Sequence, residues 1–99
     1  MTDHKILLPG GMIMGISCGW DEYPVTVQDI SADGLRFTGA LPVNINERVR
    51  FRLLGRRLAA RLARSGPSGG ALRFERDLTQ QQLLVLRAAC GSLILPEAG

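Results

Sequence analysis

The stretch Arg48-Val-Arg-Phe-Arg-Leu53 constrains this chain more than any other. Val49, Phe51 and Leu53 alternate with Arg48, Arg50 and Arg52, so a period of two puts the apolar side chains on one face and the guanidinium groups on the other. A helix would scatter both sets around its axis. The stretch is therefore a strand with one face in a core and one in water, and such a strand needs partners. Tyr23, Val25 and Val27 alternate with Pro24, Thr26 and Gln28, and Leu35 and Phe37 alternate with Arg36 and Thr38. Met12–Cys18 is a short apolar run closed by Gly19 and the turn-like Asp21-Glu22 pair, and Ala71–Glu75 follows the strong turn Gly66–Gly70. The segment 54–63 is ambiguous. Leu54, Leu58 and Leu62 recur every four residues, as in a helix, yet Leu58, Ala60 and Leu62 also alternate with Ala59, Arg61 and Ala63. The turn that follows favours a hairpin.

The end of the chain reads differently. Thr79 followed by Gln82 fits a capping box, Leu83, Leu86 and Cys90 share a helical face, and Gly91 suits a left-handed cap. That predicts one helix over about 79–90. The apolar Leu93-Ile-Leu95 beyond it has to pack on this domain or on a partner. Six short strands and a terminal helix predict an all-β fold: a small six-stranded antiparallel barrel, closed because closure removes exposed edges, with a C-terminal α-helix. Ninety-nine residues allow one domain over 1–99, with a core at about 5–90 and an apolar tail at 91–99. A hydrophobic share of 45% against 21% charged is enough to fold it.

Several function classes are disfavoured. The most lipid-like segment, Ile6–Ile16, is broken by Pro9, Gly10, Gly11 and Gly15, so neither a membrane span nor a signal peptide is expected and the protein reads as cytoplasmic. Cys18 and Cys90 then read as separate thiols rather than a disulfide. With His4 they are too few and too far apart for a zinc site, so no metal is expected. His4, the only histidine, sits near a terminus, and Asp21 and Glu22 read as solvated turn residues. No catalytic residue, resident cofactor or enzyme activity is expected.

The charge points to a partner. Eleven of the twelve basic residues are arginine, and residues 51–99 hold eight arginines against three acids, whereas residues 1–50 hold four basic residues against six acids. A small basic barrel could bind nucleic acid through phosphates. Aromatic content of 5%, with Phe37, Phe51 and Phe74 on inward faces, leaves no stacking platform, so nucleic acid is disfavoured.

One motif carries more information. Asp29-Ile-Ser-Ala-Asp-Gly34 fits Asp-x-Ser-x-x-Gly between two strands, and is followed by Leu-Arg-Phe, a loop, the Glu47–Arg52 strand, the Gly70–Phe74 strand and a helix. In this order the chain resembles the PilZ family of bacterial cyclic di-GMP receptors and adaptors. The resemblance implies a barrel of the kind deduced above. It also implies a ligand site in which Asp29 accepts from a guanine edge, Ser31 donates to a phosphate and Gly34 supplies positive φ and close backbone approach. The same residues can simply cap their own turn. Ligand-binding members carry a second motif, Arg-x-x-x-Arg, ahead of the first strand. Here Lys5 would stand in the first arginine position and Pro9 in the second. Lysine lacks the bidentate fork and proline lacks a donor, a loss of several kcal/mol and roughly a hundredfold or more in affinity. The resemblance is thus to a degenerate member, a non-enzymatic signalling adaptor that works through protein contacts, with the arginine face and the tail as contact surfaces. The alternative is a true cyclic di-GMP receptor in which Arg36 or other basic residues replace the clamp.

Overall fold

The structure, a computed structural model, describes residues 5–89. The chain forms β1 (Ile6–Cys18), β2 (Asp21–Ile30), β3 (Gly34–Thr38), β4 (Arg48–Leu53), β5 (Arg56–Ser65), β6 (Gly69–Phe74) and α1 (Gln80–Ala89). All neighbouring strands run antiparallel, and the sheet closes in the order β1-β2-β3-β6-β5-β4. The expected six-stranded barrel with a trailing helix is the observed one.

The alternation in β4 is realised: Val49, Phe51 and Leu53 are buried and the three arginines point out. β5 settles the ambiguous segment as a strand. Its register against β4 and β6 buries Ala60 and Leu62, and ladder partners on both sides outweigh the local helical spacing. Phe37, Phe51 and Phe74 face inward as expected, the last two with ring centroids 5.8 Å apart.

The strand limits differ from the sequence expectation in several places. β1 starts at Ile6 rather than Met12. Gly10 and Gly11, at φ 85 and 79, form an irregularity through which the strand continues instead of the break expected there. Asp21 and Glu22 belong to β2, paired with Cys18 and Ser17, so the turn is Gly19-Trp20. Gly69 and Gly70 likewise pair in β6 rather than forming part of the preceding turn. The β4–β5 connection is a two-residue hairpin of Leu54 and Gly55, both at positive φ, as the twist of paired strands favours.

The capping box on α1 is present. The Thr79 N–H donates to Gln82 Oε1 at 2.8 Å and the Gln82 N–H to Thr79 Oγ1 at 3.0 Å. Leu86 is the helix's buried residue and joins the core with Leu53 and Leu78, while Leu83 packs at its margin. Cys90, Gly91 and the Leu93–Leu95 tail lie outside the described residues, as does His4.

Cys18 is half-buried, and its thiol donates to Glu47 Oε2 at 3.2 Å. The Asn44 N–H donates to Glu47 Oε1 at 2.8 Å. That backbone bond, then the Cys18 thiol, holds the Glu47 carboxyl below its ordinary range. The stabilisation it brings is therefore present above the ordinary carboxylate range and lost as pH falls through the folded value. The same carboxylate, first through the hydrogen bond and next with burial, pushes the Cys18 thiol up. With less thiolate at neutral pH, Cys18 should react slowly with a thiol reagent in a Cys90→Ser protein, and Glu47→Gln should speed it severalfold. A rate unchanged by Glu47→Gln would show that the hydrogen bond does not govern the thiol.

Candidate functional site

The Asp-x-Ser-x-x-Gly stretch is less of a loop than its composition suggests. Asp29 and Ile30 end β2, Gly34 opens β3, and only residues 31–33 form the turn. The ladder between β2 and β3 slips at Gln28: Val27 faces Phe37, and Asp29 faces Arg36. That extra residue shifts the alternation by one. Val25, Val27 and Ile30 point into the core, and Asp29 turns outward beside Arg36. Without the bulge the Asp29 carboxylate would continue the inward series of Val25 and Val27.

Outward does not mean exposed. Asp29 lies between Leu7 on β1 and Arg36 on β3 and is 3% exposed, the one buried polar or charged residue among those described. Nε and Nη2 of Arg36 both donate to Asp29 Oδ2, the first at 2.8 Å. The hydrogen bond and charge of Asp29 raise the pKa of Arg36. A buried carboxylate is tolerable only with such a partner.

Ser31 also bonds within the turn. Its hydroxyl donates to Asp33 Oδ1 at 2.9 Å and lies 3.3 Å from the Gly34 carbonyl, while its N–H donates to that carbonyl at 2.8 Å. The turn is tied down from outside as well. The Phe74 N–H donates to the Asp33 carbonyl and the Leu78 N–H to the Ala32 carbonyl, each at 2.8 Å.

Gly34 corrects an expectation. Its φ is not in the left-handed region, where Gly10, Gly11, Gly19, Gly39 and Gly55 lie. What requires glycine is packing: a Cβ there would run into the backbone carbonyl of Leu72 on β6.

All five expected site residues nevertheless meet. Lys5, Asp29, Ser31, Gly34 and Arg36 line one shallow depression of about 260 Å³, together with Arg73. Arg73 sits opposite Gly34 in the β3–β6 register and has no sequence signal of its own beyond outward alternation with Leu72 and Phe74. Leu7, which faces Asp29 in the β1–β2 register, has no sequence signal for that position either. The depression is below the ~300–1,000 Å³ of pockets that enclose a small-molecule ligand. The positions matched to the missing clamp do not form a free loop either, because Ile6 and Leu7 pair with Ile30 and Asp29. Asp29 Oδ2 and the Ser31 hydroxyl are already engaged within the chain, and Lys5 offers a point charge where the resemblance implies a bidentate fork.

A small closed barrel with this turn between β2 and β3 and a capped helix after β6 is the arrangement the resemblance implied. The chain belongs to the PilZ domain family, whose model matches residues 12–92. PilZ domains are non-enzymatic binding or adaptor domains of cyclic di-GMP signalling. The match starts downstream of Lys5 and Pro9. No curated protein and no solved structure matches the chain. No helix among the described residues is long and apolar enough to cross a membrane, and no three metal-ligating side chains come together among them.

Proposed function

We propose that this PilZ domain is an adaptor that works through protein contacts in the cytoplasm, with cyclic di-GMP bound weakly or not at all, and that it carries no catalytic activity of its own. The observation that carries the reading is the Arg36–Asp29 pair. The carboxylate that the family pattern aims at a guanine edge is buried and held by a guanidinium of the same chain. A ligand would have to displace Arg36 from Asp29, leaving a buried carboxylate to re-pair with guanine donors, and would find only Lys5 where the clamp should be.

Isothermal titration with cyclic di-GMP tests this. Heat should stay unsaturated up to about 100 μM ligand, an affinity weaker than roughly −5.5 kcal/mol. Saturation at low micromolar concentration would instead return the receptor reading, with Lys5, Arg36 and Arg73 as its cations. If the titration is silent, Lys5→Arg with Pro9→Arg shows whether the clamp is the only defect; binding that appears only when Arg36→Ala is added would place the block at the ion pair.

A further inference from the structure

The outer face of β4, β5 and β6 carries charge that the barrel itself does not need. The antiparallel register sets Arg48 directly opposite Arg61, and Arg61 opposite Arg73, so three arginines form one row across three strands. Arg52 faces Arg57 in the same way. Like charges directly opposite destabilise a ladder. Glu75 offsets part of the row, accepting from Arg48 Nε at 2.9 Å with Arg61 Nη2 at 3.5 Å. Among the described residues, no acid lies within ion-pair distance of Arg50, Arg52, Arg57 or Arg73. Solubility calls for charge, but not for one sign stacked in register.

Beside this face the barrel seam is thin. β1 and β4 share a single ladder pair, Ser17 with Arg50. Residues of both seam strands line a groove of about 670 Å³, among them Met12, Ile13, Leu54, Arg50, Arg52 and Arg57. Ile13 is 77% exposed and Leu54 44%. Glu22 is the acid on its wall. Apolar side chains flanked by arginine match the anatomy of protein interfaces, in which methionine and arginine are enriched. A phosphate backbone has nothing to place against Ile13 and Leu54. An extended chain points successive side chains to opposite sides, so it can set acids on the arginines while its alternate apolar groups meet Ile13 and Leu54.

We infer that this face and groove dock an extended acidic segment of a partner protein, its carboxylates on Arg50, Arg52 and Arg57 and its alternate apolar side chains against Ile13 and Leu54. The inference rests on the adaptor reading above and gives that adaptor's partner its chemistry. Guanidinium groups bind carboxylates bidentately, so the surface selects for acid rather than for any extended chain.

The test uses the full chain and three labelled probes: a peptide of alternating glutamate and valine, a matched glutamine–valine peptide, and a DNA duplex. Fluorescence anisotropy should show the glutamate peptide binding at least about tenfold tighter than the glutamine peptide, and weakening as salt rises. Arg50→Glu with Arg52→Glu should remove that preference, while Arg76→Glu, also an exposed arginine but in the β6–α1 loop, should leave it nearly intact. The unmodified protein alone decides the first comparison, so the test survives a variant that misfolds. Equal binding of the two peptides, tighter binding of the duplex, or an equal loss in the Arg76 variant overturns the inference. So does peptide affinity that rises about tenfold on deletion of residues 92–99, which would give the groove to the chain's own C-terminal segment. A silent cyclic di-GMP titration with no peptide preference sinks this surface and leaves the adaptor reading standing; saturable cyclic di-GMP binding sinks the adaptor reading independently of the peptide.

Discussion

Gly34→Ala is expected to lower the stability of the domain by about 2–3 kcal/mol, the upper part of the usual cost of forcing an atom into a packed site, because the clash is with backbone. For a domain of this size that lowers the melting temperature by roughly 10–20 °C. The reason lies across the sheet. β3 and β6 approach so closely at Gly34 that a methyl group meets the Leu72 carbonyl, which is backbone and cannot swing aside as a side chain would. The sign of the effect is diagnostic. Were Gly34 present only to let a ligand approach, alanine would restrict the unfolded chain and stabilise the protein by about 0.4–1 kcal/mol. Gly66→Ala supplies the comparison, because a Cβ there meets nothing nearer than the Gly69 carbonyl at 3.6 Å and φ is ordinary. Thermal unfolding of both variants should show a large loss for the first and almost none for the second. A neutral Gly34→Ala would return that glycine to a ligand-binding role.

Gly34 also shows where the sequence stops being informative. Local periodicity was enough for β4, for the inward phenylalanines and for the capped helix, because each depends on neighbours within a few residues. It was not enough for the phase of β2. The alternation of Tyr23, Val25 and Val27 stops short of the Asp29–Gly34 turn formers, whereas β2 continues through Asp29 and Ile30; the bulge at Gln28 that turns Asp29 outward is revealed only by pairing with β3. Arg73 and Leu7 reach the site through register with strands far away in the chain, which no local pattern encodes. The motif residues were legible as a set, since all line one depression. Their present partners were not. Arg36 read as a possible substitute clamp for a ligand, yet it is committed to Asp29 in a pair across two strands.

Leu86→Ala should have the other large effect. Leu86 is 1% exposed and is the buried residue of α1. Removing a buried leucine side chain down to Cβ costs about 2–5 kcal/mol where the site cannot collapse. A ten-residue helix has little to set against that loss. Isolated helices shorter than ~12–15 residues are marginal in water, so packing rather than propensity keeps α1 in place. The barrel, by contrast, keeps its own core, with Ile16, Val27, Ile30, Val49, Leu62 and Leu72 each at most 2% exposed. The helix is therefore expected to yield first. Hydrogen exchange should show the α1 amides losing protection in the variant while those of β2 and β5 hold. Coincident loss in helix and strands would instead make α1 part of the barrel's cooperative unit. The same substitution bears on function, because Leu86 and Ala89 line the groove beside Ile13 and Leu54. An undocked helix would remove one wall of that groove while leaving the arginine row of β4, β5 and β6 in place. Acidic-peptide affinity should then fall, yet keep its salt dependence, which separates the apolar contribution to docking from the electrostatic one.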